Sequence, residues 1–423
     1  MKLGKSTVAE VLLCLWLVVF ATPDLTSATK TSSVVSIDPR NTYLLPHGFV
    51  GNLSLNFIDT FTSDGDISEL FSTAKKAPFM TYDPEFLHIT GDRPNAPQLI
   101  AQRDDLFADE AGVWVPDKNQ VWFTSATVNN AGNLSILDLE TSTIFRPNTS
   151  IPLVTPNGGY FFDGKVYFTG QGTANVEPCI YAIDINTYET ETVINSYFGL
   201  RFGGPNDVTW AIKRGQNVDI NGNKNGRKHV DKSFMFFSDE PQSYVFAGGL
   251  PPVLPNAVWR YDPDEQSVVP VLSRADILVP NGVAVNADSS KLFVTDTPFS
   301  AVYVPADTPS SGSPAIYSFD LDGDGFPTNK RMVGIARSGI PDGIKIDDAG
   351  RIWTGEGEGI VVRNPRGKIL GVFNSEFFLE SYQTEPPIAN FALAGDTLVV
   401  LAMQRVWTLK LAQTVVSAER YRM

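Results

Sequence analysis

The chain has 423 residues, of which 43% are hydrophobic and 11% aromatic, and its formal net charge is −14. This acidic balance argues against nucleic acid as a partner, because binding to phosphates requires a basic surface. The 34 glycines and 29 prolines supply turn residues for many short strands, and no long amphipathic helix is evident. The composition therefore favours a packed β-protein.

The N-terminus has the features of a secretory signal peptide. Lys2 and Lys5 precede an apolar run at residues 11–21, and Thr26-Ser27-Ala28 offers a cleavage site. An uncleaved anchor is the alternative, but this run is too short to cross a bilayer comfortably. We expect residues 1–28 to be removed and the protein to be secreted, with no membrane association after cleavage.

The cysteines and the glycosylation sequons fit the same compartment. Cys14 lies within the signal peptide, so Cys179 has no partner for an intramolecular disulfide in the mature chain. The strand-like sequence around Cys179 predicts a buried thiol rather than a nucleophile. Three Asn-x-Ser/Thr sequons indicate possible glycosylation. They begin at Asn52, Asn133 and Asn148.

A short motif recurs along the chain. The clear copies are Pro156-Asn157-Gly158, Pro205-Asn206-Asp207, Pro280-Asn281-Gly282 and Pro341-Asp342-Gly343, with looser copies at Glu110-Ala111-Gly112 and Ala389-Asn390-Phe391. The polar residues at 110, 157, 206, 281, 342 and 390 are 47 to 75 residues apart, and each copy is followed by an apolar segment. A unit of this length with several short strands is typical of a β-propeller.

The six units predict an all-β, six-bladed β-propeller with a metal site in its central channel. Single blades cannot bury their faces alone, so the ring should form one domain. We assign residues 103–412 to the propeller, 29–102 to an irregular N-terminal segment and 413–423 to a C-terminal tail. Within the N-terminal segment, residues 98–102 are predicted to pair with the last blade and close the ring.

Three further segments have alternative interpretations. The polar insertion at 213–232 and the Pro-, Ser- and Gly-rich insertion at 298–314 are either solvated loops or lids over the channel. Residues 320–325 partly match an EF-hand loop, but Arg331 stands where that motif requires Glu. Because both flanks have strand-like sequences, we predict a hairpin turn there.

Several common chemistries have no support in the sequence. The histidines are far from every motif copy, which argues against a histidine-based zinc or iron site. A serine nucleophile elbow, a Walker loop and a dinucleotide fingerprint are all missing. Turn formation alone is the alternative explanation for the repeated Asn, Asp and Gly residues. Six copies in register favour a ring of hard oxygen ligands, whose two carboxylates would balance a divalent ion such as Ca²⁺.

Several motifs, in order, resemble the SMP-30/gluconolactonase/LRE-like family. They are Pro280-Asn281-Gly282-Val283-Ala284 followed by Leu292-Phe293-Val294-Thr295-Asp296, and Pro341-Asp342-Gly343-Ile344 followed by Gly350-Arg351-Ile352-Trp353. Residues 156–208 are similar to the secreted fungal lactonohydrolases within that family. The resemblance covers about residues 78–410. It implies a six-bladed propeller with one divalent ion, usually calcium, in the channel.

The resemblance also implies roles for individual residues. Glu110 and Asp342 match the family's metal carboxylates, Asn281 matches its amide ligand, and Asn206 matches an Asn that contacts the ion or the substrate. Four other polar residues are expected to line the channel: Asn157, Asp207, Asn390 and Asp109. Asp109 stands where the fungal branch commonly has His, and residues 238–241 also depart from the family pattern. Proton transfer and substrate choice are therefore expected to differ.

Together these features predict a secreted, calcium-dependent lactonase that hydrolyses a small-molecule lactone by attack of water at the carbonyl. Mn²⁺, Zn²⁺ and Fe²⁺ are the alternative ions. Asp342 and Asn206 are the expected catalytic residues, with Asp342 as proton acceptor and Asp207 or Asp109 as alternatives. One alternative function is a non-catalytic propeller that binds a ligand or a protein. Another is a related hydrolase or tailoring enzyme of fungal secondary metabolism. The sequence has no signal for an oligomeric state.

Overall fold

Short apolar strands joined by turns assemble into a six-bladed β-propeller in the computed structural model. The structure describes residues 34–46, 48–52, 55–129, 131–214, 231–298, 313–381 and 388–421. The predicted signal peptide and most of both insertions, at 215–230 and 299–312, lie outside the described residues. Within the described ranges, no helix has the length and apolar character needed to cross a membrane.

Each blade is an antiparallel sheet whose first strand faces the channel. Blade 1 contains Glu110–Val115, Gln120–Thr124, Leu134–Asp138 and Thr143–Phe145. Blade 2 contains Pro156–Phe162, Lys165–Gly170, Cys179–Asp184 and Thr190–Ile194. Blade 3 contains Pro205–Lys213, Lys232–Asp239, Ala257–Asp262 and Ser267–Ser273. A two-stranded hairpin, Ser196–Tyr197 and Leu200–Arg201, lies between blades 2 and 3.

The second half of the ring repeats this arrangement. Blade 4 contains Pro280–Val285, Lys291–Asp296, Ala315–Leu321 and Pro327–Ile335. Blade 5 contains Ile344–Ile346, Ile352–Glu356, Gly359–Arg363 and Ile369–Asn374. Blade 6 contains Phe391–Ala394, Thr397–Ala402 and Arg405–Lys410. Its fourth strand is Gln98–Gln102, which pairs with Arg405–Lys410 and closes the ring.

The hydrophobic core is divided among the interfaces between neighbouring blades. Val113 and Trp122 of blade 1 pack with Phe161 of blade 2, and comparable clusters join the other neighbours. Between blades 2 and 3, the rings of Phe162 and Trp210 stack with centroids 4.3 Å apart. Burial of each such side chain contributes about 1.5–3 kcal/mol. Both faces of a blade are therefore apolar, which explains strands that are hydrophobic at consecutive positions.

The N-terminal segment is not irregular, so that expectation is wrong. It contains the helices Gly65–Ala74 and Pro84–Thr90. It also contains the strands Val34–Ser36 and Phe79–Thr81, which extend the sheet of blade 5 beyond Ile369–Asn374. These additional strands cover the outer edge of that blade, and such edges otherwise expose unpaired backbone groups. Their isolated three-residue lengths gave no periodic signal in the sequence.

The C-terminal tail reaches the end of the channel opposite the motif copies. The ring of Tyr421 lies against Trp114, with centroids 6.0 Å apart. The Arg420 guanidinium donates to backbone carbonyls at the ends of the inner strands of blades 4 and 5, and Ser417 N–H donates to Asp348. The tail therefore closes this end of the channel and joins several blades.

Three local features can be compared with the predictions from the sequence. Residues 320–325 form the predicted hairpin turn, in which Asp322 Oδ1 accepts the N–H groups of Asp324 and Phe326. Cys179 is buried, as predicted. The sequon residues Asn52, Asn133 and Asn148 are exposed. Glycosylation stays a prediction.

Glu358 connects the N-terminal segment to blade 5. Its side chain is buried and accepts the backbone N–H of Phe57 at 2.7 Å. Burial raises the pKa of Glu358 to about 7; the Phe57 N–H opposes this shift and the charge of Glu356 adds to it. The folded protein therefore holds the Glu358 proton more tightly than the unfolded chain does.

We expect Glu358→Gln to remove a pH-dependent loss of stability. The stabilising effect of the raised pKa is complete below about pH 4.3, the usual value for Glu, and is lost as the pH rises through about 7. Gln keeps the oxygen that accepts from Phe57. Between about pH 4.5 and pH 8, urea denaturation should shift in favour of E358Q by roughly 2–3 kcal/mol. Parallel curves, like those expected for exposed Glu140→Gln, would contradict a raised pKa.

Candidate functional site

The repeated motif produces a β-bulge near the start of the inner strand in several blades. In blade 2, Pro156 pairs with Gly170, but the next regular pair is Gly159 with Phe168. Blades 3 and 4 show the same shift, at Pro205/Val208 and Pro280/Val283. A bulge leaves unpaired residues on one strand and redirects their side chains. The Asn of each motif is one of these residues, so the bulge accounts for its position at the channel mouth.

In blade 1 the polar residue of the motif, Glu110, does not occupy the register position that the repeat predicted. Glu110 pairs with Thr124, in the register position that proline holds in blades 2 to 4. Ala111 therefore occupies the place of the asparagines. Ala111 and Gly112 have φ angles of 69° and 62°, a left-handed pair that turns the backbone directly after Glu110. The expectation of one polar residue at the same place in all six units is wrong for blade 1.

The motif glycines are required because neighbouring inner strands approach closely. A Cβ on Gly282 would lie 2.4 Å from the Asp342 carbonyl oxygen. On Gly343 it would lie 2.5 Å from the Asn390 side chain. Neither glycine has a left-handed φ angle, so lack of space selects glycine here. This packing brings the polar residues of adjacent blades together.

Hydroxyl groups on the second strand of four blades join these motifs around the ring. Each hydroxyl donates to the backbone carbonyl of the motif Asn or Asp in the next blade. The pairs are Thr124 to Asn157 (3.0 Å), Thr169 to Asn206 (2.7 Å), Ser238 to Asn281 (2.5 Å) and Thr295 to Asp342 (2.8 Å). The spacing of the polar side chains is therefore fixed by their backbone.

Hydrogen bonds show which polar residues of the site hold their neighbours in place and which still have oxygens that could contact a ligand. Asn390 donates to Glu110 Oε2 at 3.1 Å and accepts the Phe391 N–H through its Oδ1, so it orients Glu110. Asp207 accepts the Val208 N–H on one carboxylate oxygen and the Val283 N–H on the other. Asp207 therefore links blades 3 and 4, which weakens its candidacy as proton acceptor.

Glu240 joins the site although the sequence did not single it out. Its Oε1 accepts from Asn206 Nδ2 at 3.0 Å and from Gln242 Nε2 at 2.9 Å. Glu240 follows the second strand of blade 3 and is buried. The only signal was its place in residues 238–241, which depart from the family pattern. Glu240 orients the amide of Asn206, and its charge acts on Asp342.

The carboxyl groups at the channel mouth share one electrostatic environment. Burial raises the pKa of Asp342 well above its usual range, and the charge of Asp109 adds to this shift. Burial likewise raises the pKa of Glu110, with a further contribution from Asp342. Burial also raises the pKa of Asp109, and Glu110 again adds to it. The three carboxyl groups therefore repel one another.

The available oxygens fit a hard divalent ion. Asp109, Asn157, Asn281 and Asp342 each have a buried Oδ1 with no hydrogen-bond partner. Among the described residues, no three His, Cys, Asp or Glu side chains come close enough to hold a metal. An ion here would therefore need amide oxygens beside the carboxylates. Carboxylate and amide oxygens are the ligands that Ca²⁺ prefers.

Lys345 is a second residue that the sequence analysis did not identify. It lies in the inner strand of blade 5, and its Nζ donates to the Ala111 carbonyl at 3.0 Å. Burial lowers its pKa, while the charges of Asp207 and Glu110 oppose that shift. A lysine within an otherwise apolar inner strand was the available signal in the sequence.

A cavity of about 780 Å³ lies away from this set of residues. Trp210, Lys213 and Arg420 are among the residues that line it. Asn206 is the second residue of the inner strand of blade 3 and Lys213 is its last, a separation of about 20 Å at the usual rise of a strand. The cavity therefore belongs to the tail end of the propeller and not to the candidate site.

Comparison with known proteins shows which proteins this chain is similar to. A sequence model of the SMP-30/gluconolactonase/LRE-like region matches residues 219–376. Lactonohydrolase oryH of Aspergillus oryzae is 26% identical over 382 residues, which cover 77% of this chain and 80% of that relative. The chain is therefore similar to members of the SMP-30/gluconolactonase/LRE-like family.

More distant relatives agree with the fold. The gluconolactonase of Zymomonas mobilis is 26% identical over 256 residues, 58% of this chain and 59% of that enzyme. The solved structure of a gluconolactonase from Xanthomonas campestris superposes with a TM-score of 0.59 at 20% identity, covering 79% of this chain and 95% of that one. At this identity the structural likeness supports the propeller fold and no more.

We expect Gly343→Ala to destabilise the ring. The added Cβ would meet Asn390, whose two polar atoms already bond to Glu110 and Phe391. Overpacking of this kind costs about 1–3 kcal/mol. Urea denaturation should show this loss in G343A. Gly323→Ala is the matched control, because no atom lies within 4 Å of its new Cβ. Equal stability of both variants would contradict close packing at Gly343.

Proposed function

We propose that this protein is a metal-dependent lactonase that hydrolyses a lactone ring to the hydroxy acid. The carrying observation is the convergence of Glu110, Asn281 and Asp342 at one channel mouth, with unpartnered oxygens on Asn281 and Asp342. The names of the relatives, lactonohydrolase and gluconolactonase, support the same chemistry. A propeller that only binds ligands has no need of several buried, mutually repelling carboxylates.

We assign the ion to Glu110, Asn206, Asn281 and Asp342, with Ca²⁺ as the preferred ion because all four offer hard oxygens. When bound, the ion would supply Lewis acidity to the lactone carbonyl and to the attacking water. Asn390 and Glu240 hold Glu110 and Asn206 in orientation. Orienting partners of this kind keep a ligand set assembled.

Proton acceptance is assigned to Asp342 or Asp109. Each has a buried carboxylate oxygen without a hydrogen-bond partner, whereas both oxygens of Asp207 accept backbone N–H groups. A carboxylate that donates electrons to an ion is a weak base, so Asp109 is favoured if Asp342 coordinates. Asp109 follows the buried Phe107-Ala108 segment and directly precedes Glu110, which supports a role beside the proposed ion.

We propose that the protein is secreted, on the basis of its N-terminal sequence. Mass determination of the protein from the culture medium would show cleavage near residue 28. It would also show whether Asn52, Asn133 and Asn148 carry glycans.

The activity test is a pH-stat assay with aldonolactones, pantolactone and aromatic lactones. We expect turnover that EDTA abolishes and added Ca²⁺ restores. Mn²⁺ and Zn²⁺ are tested in parallel. Turnover that survives complete removal of metal would contradict the metal mechanism. With metal verifiably bound, absence of turnover on every lactone would favour a binding propeller, whereas cleavage of other esters would indicate a related hydrolase.

Asp342→Asn should keep the fold and lose activity by about a hundredfold or more, because it removes a metal carboxylate and a candidate base. Circular dichroism checks the fold, and kcat/KM on the best lactone checks the activity. Asp163→Asn is the matched control: it makes the same chemical change in an exposed turn with φ 47°, which Asn tolerates. Full turnover by D342N would exclude Asp342 from the mechanism.

A further inference from the structure

Lys345 makes a contact across the channel. It belongs to the inner strand of blade 5, and its Nζ donates to the Ala111 carbonyl of blade 1 at 3.0 Å. Blade 6 lies between blades 5 and 1 in the ring, so this hydrogen bond does not join neighbours. Below it, Lys345 lines a cavity of only about 40 Å³. Lys345 is half-buried, and its ammonium lies within the channel, beneath the motif copies.

The acceptor of this bond has an unusual backbone conformation. Ala111 has a φ angle of 69°, and Gly112, which follows it, has 62°. A left-handed non-glycine residue is strained and persists only where its surroundings hold it. Ala111 directly follows Glu110, so its backbone determines where the Glu110 carboxylate points. The Lys345 hydrogen bond is a contact that holds this conformation.

The surroundings of the ammonium are acidic. Asp207 of blade 3 and Glu110 of blade 1 are the charges that act on Lys345. Asp207 is buried, and its carboxylate accepts N–H groups from Val208 and Val283. A buried carboxylate is costly unless it is paired or hydrogen-bonded. The charge of Lys345 thus acts on acids from two blades, while its own strand belongs to a third and its Nζ is held by the Ala111 carbonyl.

We propose that Lys345 is the resident cation of the channel. As a positioning residue it holds the Ala111 carbonyl and offsets the charges of Glu110 and Asp207 in the ion-free protein. A divalent ion at the channel mouth then competes with Lys345 for the charge of Glu110. The lysine therefore keeps the ion-free ring assembled and weakens ion binding. The part of this inference that concerns the ion rests on the proposed function, whereas the interaction of Lys345 with the charges of Glu110 and Asp207 does not.

The test compares the melting temperature in EDTA and in Ca²⁺ for the full chain and its variants. We expect Lys345→Met to lower Tm by several degrees in EDTA and to show a larger Ca²⁺-induced rise than the unmodified protein. Calorimetric Ca²⁺ affinity should tighten several-fold. Lys345→Gln keeps a donor for Ala111 without the charge, so it should show the same larger Ca²⁺ response. Exposed Lys118→Met is the matched control and should change neither value.

Two outcomes overturn the proposal. Equal losses of Tm in EDTA and in Ca²⁺ would mean that Lys345 acts by packing alone. If K345M does not fold, K345Q provides the same comparison. If no divalent ion changes the Tm of the unmodified protein, the proposed metal site is contradicted. The role of Lys345 in the ion-free protein is then tested in EDTA alone. In EDTA, K345M should lower Tm less in an Asp207→Asn background than in the unmodified protein. An equal loss of Tm in both backgrounds would overturn the interaction between the charges of Lys345 and Asp207.

Discussion

The close approach of the inner strands around the channel is the constraint on which the rest of the structure depends. Gly282 and Gly343 leave no space for a Cβ against the next blade, and hydroxyls such as Thr169 bond to the carbonyl of the neighbouring motif. These contacts fix the backbone of every motif copy relative to the next. The side chains that leave this backbone therefore converge, partners such as Asn390 then orient them, and the candidate site is a consequence of how the blades pack.

The same packing creates an electrostatic problem that an ion would relieve. Glu110 is buried, Asp109 and Asp342 are half-buried, and each of the three raises the pKa of another. Protons are one way to reduce the repulsion, and a cation is another. Binding of a divalent ion would therefore release protons, and its affinity would rise with pH. The repulsion among these carboxylates in the folded protein would therefore favour the binding of a cation.

The propeller could be predicted from the sequence because the residues that make contacts between adjacent blades recur in every repeat. The Pro-Asn-Gly copies imply both a bulge and a close approach, and each blade repeats them. Features that occur once were missed. The register of Glu110 depends on a left-handed Ala111, which no propensity indicates. Glu240 reaches Asn206 only through the fold. Lys345 crosses the ring to a residue more than 200 positions away, and such a pairing has no local pattern.

The two ends of the channel differ in the contacts that their residues make, and only one end carries the proposed site. At one end Arg420 and Tyr421 join the inner strands through backbone carbonyls and aromatic contacts. At the other end the bulges leave polar side chains with unpartnered oxygens. The tail and the apolar inner strands place protein rather than solvent beneath the site, and charges beside a low-dielectric medium interact more strongly than they would in water. Closing one end of the channel therefore strengthens the electrostatics at the other.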